Sequence, residues 1–441
     1  METIFDLIIK DTTVLTMDRH YSVLEHVDVA VQGNRIVSVN PTTPSTHAHK
    51  TIPGSGYLLM PGFVNTHTHV GMAYFKGTAA AMELFKWLAW GWFYIQRMSP
   101  EDIYWAAKLS CIEMIRAGVT TFCDQYFSVD RIGRAVIESG LRACISEAVM
   151  EPAPGMEARM PIDDQIQYGY EVFKNWNHQG DGRVQVFYAP HALYSCSAPT
   201  VEKILELAIR TGTRLHIHVS ETRKEVEDAF ILWNMSPPQR MEKLGMLQLP
   251  IIAAHCVHLS PADIDLLDRP TFGVAHNPAS NMKLQSGRAP IEQMVGRQMA
   301  IGLGSDGNGS NDIVDILKEV YLAAIWHPWT EEQIPAHTAL TMATREGARA
   351  IGLDQEIGSI EVGKKADMIL LKMDTPRTLP THDPHYALAF TGRGDDVRTT
   401  IVDGKVLMED GQILVEDEQA ILEEARRRSA EIFSVTFNPT I

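Results

Sequence analysis

Gly62-Phe63-Val64-Asn65-Thr66-His67-Thr68-His69 is a short apolar run that closes on two histidines. Side chains two apart on a strand point the same way, so both imidazoles can reach one ion from the strand's end. Working outward, short apolar runs recur at Gly62–Asn65, Thr120–Cys123, Arg142–Val149, Val184–Ala189, Arg214–His218, Ile251–His255, Thr271–His276 and Ala300–Gly304. Helix-like segments such as Pro100–Arg116, Pro199–Thr211 and Asp312–Ile325 lie between or after them. That alternation predicts parallel βα units. Eight strands with crossovers predict a TIM barrel, whose catalytic groups sit at the C-terminal ends of its strands.

The flanks have another pattern. Val29-Ala30-Val31 runs through Gln32-Gly33-Asn34 into Ile36-Val37-Ser38-Val39, and Thr400-Ile401-Val402 runs through Asp403-Gly404 into Val406-Leu407-Met408. Each reads as a hairpin with a glycine in its turn. The expectation is an α/β protein: a (β/α)8 barrel over residues 59–357, with a small β-sandwich domain formed by residues 1–58 and 358–441. Asp417–Phe433 reads as a surface helix whose Arg426-Arg427-Arg428 cluster is a solvated face.

Composition narrows the function classes. Fifty-five acidic against 39 basic residues give a formal charge of -16, which repels phosphate backbones and anionic membrane surfaces, so neither nucleic acid nor membrane is expected as a partner. At 441 residues, 45% hydrophobic and 21% charged, the chain can bury a large core and has no disorder signature. Cys111, Cys123, Cys144, Cys196 and Cys256 show no paired spacing, which reads as reduced thiols in a cytosolic protein. Phe5 to Lys10 is strand-like rather than a signal peptide, and no window has the length of an apolar membrane span. A cytoplasmic enzyme is expected, assembled as a homo-oligomer and acting on a small molecule.

Four strand ends carry the chemistry: His67 with His69, His216-Ile217-His218-Val219-Ser220-Glu221, His255-Cys256, and Gly304-Ser305-Asp306-Gly307. On the fifth strand His218 is chosen over His216 because it lies nearer the end, and His258 and His276 are read as structural. Nitrogen and oxygen donors without thiolate suit a zinc or ferrous ion held by three imidazoles and one carboxylate, with a position open for water. Such an ion makes hydroxide near neutral pH. Donor chemistry alone equally allows His255 as a ligand. Of the aromatic residues Phe85, Trp87, Trp90, Trp92, Phe93 and Tyr94, most read as core or subunit contacts, with Trp87 and Trp92 as candidates to cover a flat ring.

The motifs Pro61-Gly62-Phe63-Val64-Asn65-Thr66-His67-Thr68-His69, His218 with Glu221, His255-Cys256 and Gly304-Ser305-Asp306-Gly307 together resemble the amidohydrolase superfamily. Within it, the resemblance is to the branch of S-adenosylhomocysteine/methylthioadenosine deaminases and s-triazine hydrolases. It extends through Ala189-Pro190-His191-Ala192-Leu193-Tyr194, His276-Asn277-Pro278-Ala279-Ser280-Asn281 and the stretch from Gly358 to Asp367. The resemblance implies His67, His69, His218 and Asp306 as ligands of one divalent ion, Zn2+ before Fe2+, with His255 contacting the attacking hydroxide. Two-metal relatives bridge their ions with a modified lysine on strand four, and Val184 to Leu193 contains no lysine.

The activity this implies is replacement of an amino group on a nitrogen-rich aromatic ring by oxygen. Asp306 would take a proton from the attacking water, Glu221 would protonate the adjacent ring nitrogen, and ammonia would leave. His191 and Asn281 would contact substrate. One departure stands out: where nucleoside-acting relatives carry a ribose-gripping glutamate, nine residues after the tryptophan matching Trp87, this chain has Gln96. Some triazine hydrolases share that glutamine. The expected substrate is an adenosine-type compound (S-adenosylhomocysteine, methylthioadenosine or adenosine) or a related purine or pterin. The alternatives are an s-triazine hydrolase displacing chloride or an alkylamine, and a silent scaffold, which would typically have lost the ligands retained here.

Two motifs are set aside. Gly302-Leu303-Gly304-Ser305-Asp306-Gly307 matches the dinucleotide fingerprint but closes a strand on an acid, and in Gly358–Lys364 the phosphate-loop pattern fails because Lys365 replaces the needed serine or threonine.

Overall fold

The computed structural model describes residues 4–41, 47–79, 82–152, 159–330, 333 and 335–437. Residues 1–3, 42–46 and 438–441 of the expected small domain lie outside these.

All eight expected central strands form: Phe63–His69, Val119–Tyr126, Arg142–Val149, Val184–Val186 with Ala189–Pro190, Leu215–Val219, Ile251–His255, Phe272–His276, and Ala300–Leu303 with Asp306–Gly307. Strands one to four pair in parallel, as do strands five to eight. Bridges Tyr188↔Leu215 and Ala192↔His218 join the fourth strand to the fifth, and Asp306↔Thr68 joins the eighth back to the first. The second and third strands are buried at every residue, as parallel strands covered on both faces must be.

Two boundaries differ from expectation. The first strand continues past Asn65 through both histidines, because Thr68 pairs with Asp124 on one side and Asp306 on the other. The third named helix starts at Ile316 rather than Asp312, because Asp315 caps it by accepting from the Leu317 and Lys318 backbone N–H groups. Pro100–Arg116 forms as expected, opened by a Ser99/Asp102 capping box.

Both hairpins form, with Val31 opposite Ile36 and Ile401 opposite Val406. Strands from the two chain ends share one nine-stranded sheet, joined where Tyr57–Pro61 pairs antiparallel with Met368–Lys372 and parallel with Ile4–Leu15. Leu7, Val29, Val31, Leu59, Met368 and Ile401 belong to its own apolar cluster. Tyr57–Pro61 then leads through Gly62 into the first central strand. Only glycine fits there, since a Cβ would stand 2.1 Å from Thr120 Cγ2. Arg142, opening the third central strand, is buried between Asp367 at 2.8 Å and Asp403 at 3.2 Å, which ties the two regions together. The closing helix Glu418–Ile432 packs on Pro100–Arg116, with Arg428 paired to Asp102 and Arg427 to Glu424 and Glu431. Among the described residues no helix is long and apolar enough to cross a membrane.

Candidate active site

The ends of the first, fifth, sixth and eighth strands bring their polar side chains to one point. Ring centres of His67 and His69 are 4.8 Å apart, as are those of His67 and His218, and His69 lies 5.5 Å from His218. One donor atom from each of these three falls within 4.8 Å of the others, and His67, His255 and Asp306 make a second such set. Asp306 Oδ1 is 3.3 Å from His67 Nε2 and 3.2 Å from His69 Nε2.

The far nitrogen of each ring fixes its orientation. His69 Nδ1 donates to the Gln125 carbonyl at 2.5 Å and His218 Nδ1 to the His191 carbonyl at 2.9 Å, so Nε2 of each remains a free donor to a cation. His67 Nδ1 is 2.8 Å from His216 Nε2, and the buried His67 Nε2 has no hydrogen-bond partner among the described residues. Ser280 and Ser310 hydroxyls donate to Asp306 Oδ2 at 2.6 and 2.9 Å, leaving Oδ1 for the histidines. Ser220, His255 and Asp306 take positive φ of 50°, 73° and 57°, an uncommon backbone state that turns strand ends toward a site.

Electrostatics prepare the cluster for a cation. Burial pushes His67 down to about 4, and burial with neighbouring imidazoles holds His218 well below the ordinary range. Burial opposes protonation of His69 too, but the Asp306 carboxylate outweighs it and raises that group. Burial by itself would raise Asp306, yet the His67 and His69 imidazoles beside it hold it well below the carboxylate range. Neutral His67 and His218 beside an ionised Asp306 are the forms in which such ligands bind metal, and a cation would displace the proton that Asp306 draws onto His69. The set, three nitrogens and one oxygen with an orphaned buried Nε2, fits a divalent ion of zinc or ferrous type.

Glu221 stands beyond the fifth strand with Oε2 3.6 Å from His255 Nε2, while Oε1 accepts from Ser286 Oγ at 3.1 Å. Its backbone N–H and that of Ser220 donate to the Glu225 carboxylate at 2.7 and 2.9 Å. Burial raises the Glu221 carboxyl above its ordinary range and Glu225 to about 7, which favours a protonated acid.

A cavity of about 640 Å³ reaches this cluster at His69 and His191, within the ~300–1,000 Å³ usual for small-molecule sites. Helix Leu84–Ile95 gives it Trp87 and Trp92, both buried, and Trp87 Nε1 donates to the Gly309 carbonyl at 3.3 Å. Burial pushes His191 down to about 3, and its Nδ1 lies 2.8 Å from Ser195 Oγ. Two expected substrate contacts are placed elsewhere. Asn281 is buried off the cavity with Oδ1 2.8 Å from His255 Nδ1, so it orients His255. Gln96 is exposed at the C-terminal cap of the Trp helix, outside the cavity lining, because the helix ends there and leaves its side chain in solvent. His276 and His258 are engaged in ordinary bonds, to His327 Nε2 at 3.0 Å and the Ser286 carbonyl at 2.6 Å.

Other side chains contribute to the site. His216, set aside in favour of His218, supports His67, and its strand alternation with His218 was the available signal. Glu151 and Tyr194 line the cavity just past the third and fourth strands, Glu151 Oε1 accepting from Ser197 N at 3.0 Å and Thr200 Oγ1 at 2.6 Å. Ser280 and Ser310 carry no signal beyond proximity to motifs.

A hydrolytic metal centre at strand ends is the architecture of the amidohydrolases, and residues 58–407 match the profile of the Amidohydrolase family. The chain belongs to that family. It is 40% identical over 434 residues to a 5-methylthioadenosine/S-adenosylhomocysteine deaminase from Pelotomaculum thermopropionicum, covering 97% of this chain and 99% of the relative. It is similar to the zinc-bound crystal structure of an adenosine deaminase from Xanthomonas campestris, with TM-score 0.92, 29% identity, and 99% and 100% of the two chains covered. A triazine hydrolase from Arthobacter aurescens shares the fold at TM-score 0.88 and 24% identity, over 96% of this chain and 99% of that one. The chain is therefore a hydrolase of C–N bonds.

Proposed function

We propose that the chain is a mononuclear-metal aminohydrolase that removes the exocyclic amino group of an adenosine-type compound, such as methylthioadenosine, S-adenosylhomocysteine or adenosine, and releases ammonia. The convergence of His67, His69, His218 and Asp306 beside Glu221 at one end of an aromatic-walled cavity carries this reading. The names of the relatives support the substrate class. A divalent ion, Zn2+ before Fe2+, would be held by those three histidines and Asp306 and would lower the pKa of a bound water toward neutrality.

The chain's own groups do the rest. Asp306, fixed through Oδ2 by Ser280 and Ser310, presents Oδ1 to accept the proton of the attacking water. His255, oriented by Asn281, faces the same point and steadies the oxygen as it adds to the ring carbon. Glu221 delivers its proton to the neighbouring ring nitrogen, so the ring accepts the electron pair without becoming an anion. Asp306 returns its proton to the amino group, which leaves as ammonia, and the added hydroxyl gives its remaining proton to Glu221 as the carbonyl forms, so both carboxyl groups end as they began. Trp87 and Trp92 hold the flat ring by its faces, and His191 offers a neutral imidazole beside it.

In this reading the eight parallel strands are a (β/α)8 barrel spanning residues 59–357, and the sheet built from residues 1–58 and 358–441 folds into the small β-sandwich domain. Five buried cysteines, none in a disulfide, support a cytoplasmic setting. Exposed Phe230, Ile231 and Leu232 support a homo-oligomer, and the net charge disfavours nucleic acid and membrane.

Ammonia release measured across methylthioadenosine, S-adenosylhomocysteine, adenosine, a pterin and melamine tests the proposal. One adenosine compound should exceed melamine in kcat/KM by more than ~100-fold, the discrimination a shaped polar site provides. Faster turnover of melamine, or chloride release from a chlorotriazine at comparable rate, would replace the adenosine reading.

A further inference from the structure

Away from the cavity, helix Pro335–Met342, helix Pro384–Thr391 and the turn carrying Tyr21 meet around a second group of metal-competent side chains. One nitrogen each of His337 and His385 and one oxygen of Asp383 lie within 4.8 Å of one another, the same limit that the catalytic histidines satisfy. We propose that His337, Asp383 and His385 bind a second, structural divalent ion of zinc type.

Three observations support the site. First, Nε2 of His337 and Nε2 of His385 are both buried without a hydrogen-bond partner among the described residues. An unpaired buried polar atom is costly, and one on each imidazole of the same cluster points to a shared partner. Second, the two ring centres are 4.5 Å apart at 58°, close to the 4.8 Å spacings of His67 with His69 and with His218. Tyr21 fixes this geometry by stacking on His337 at 4.4 Å and meeting His385 edge-on at 6.1 Å. Third, Asp383 Oδ1 is engaged as the helix cap, accepting from the His385 and Tyr386 N–H groups at 2.8 and 3.3 Å, which leaves Oδ2 for a cation.

Two imidazoles and a carboxylate suit a borderline ion such as Zn2+, whose remaining position would be filled by water. The Asp383 side chain is 46% exposed, which leaves a side open for ion and water to enter. The ion would clip helix Pro384–Thr391 to helix Pro335–Met342, which itself packs on the eighth central strand. Its contribution would be to stability, and ammonia release would not depend on it.

The test takes enzyme carrying one equivalent of zinc and titrates it with further Zn2+, reading calorimetry, bound metal after gel filtration, and Tm. Wild type should take up a second equivalent and gain Tm in excess Zn2+. His337→Gln and His385→Gln should stop at one equivalent, keep ammonia release, and show no Tm response. Saturation of wild type at one equivalent would overturn the proposal, as would a second equivalent persisting in both variants. If His385→Gln fails to fold, His337→Gln decides the matter alone, since its ring is only half-buried.

Discussion

His69 and Trp87 line the same cavity but stand on different supports. His69 ends a strand paired on both sides, its Nδ1 anchored to the Gln125 carbonyl at 2.5 Å. Trp87 stands on helix Leu84–Ile95, packed beside Trp90 and donating from Nε1 at 3.3 Å to the Gly309 carbonyl in the short helix Asn308–Asn311. The polar floor is thus over-determined by parallel pairing, whereas the aromatic wall belongs to segments that can vary without disturbing the barrel. In such a molecule chemistry and substrate choice are separable, and damage to each should have a different kinetic signature.

The largest effect belongs to the floor. His67→Ala should remove the catalytic ion and lower kcat/KM by ~10³-fold or more, read by metal content together with ammonia release. Full activity in this variant would break the distinction between floor and wall. Glu221→Gln should retain metal and bind substrate with little change in KM while kcat falls by ~10²–10⁴-fold, the usual scale for a lost general acid. A proportional rise in KM instead would move Glu221 to the substrate-binding wall.

Smaller changes belong to the wall. Trp87→Ala should raise KM by about tenfold with kcat nearly unchanged, as expected for lost apolar contact shared by ground and transition states. Gln96→Ala, exposed beyond the cavity, should leave both constants within about twofold, and a tenfold loss there would place the ribose contact back on Gln96. A test of stability rather than turnover lies on the third strand at Glu147, which burial pushes up to about 8. Because its folded value is raised, the unfolded chain releases this proton first. Wild type therefore loses stability as pH rises from about 4.5 to 8, and the loss levels off above that. Glu147→Gln can keep the Val129 N–H bond and should gain on wild type across that window, by ~1–3 kcal/mol at pH 8.5 in denaturant unfolding.

The same division explains what the sequence could disclose. Strand ends such as His67-Thr68-His69 and Ser305-Asp306 are legible because an apolar run sets their direction and alternation sets their side. The like hairpins at the two ends point to one shared domain, but the particular pairing of Tyr57–Pro61 with Met368–Lys372 leaves no local mark across some three hundred residues. Alternation puts His216 on the same face as His218, but its partner His67 lies on another strand, so its supporting role shows only once the strands are assembled. A count of nine residues from Trp87 does not show that the helix stops at Ile95 and leaves Gln96 in solvent. Asn281 sits in a quoted motif, yet only the fold shows that it serves His255.

The central claim is that one ion, shared by His67, His69, His218 and Asp306, suffices for the reaction. Metal-free enzyme should be titrated with Zn2+ while ammonia release from methylthioadenosine is followed. Because the four-donor site should fill before the three-donor cluster at His337, activity should rise linearly and level off at one equivalent. Full activity in the metal-free enzyme, or a rise that continues to two equivalents, would contradict the account.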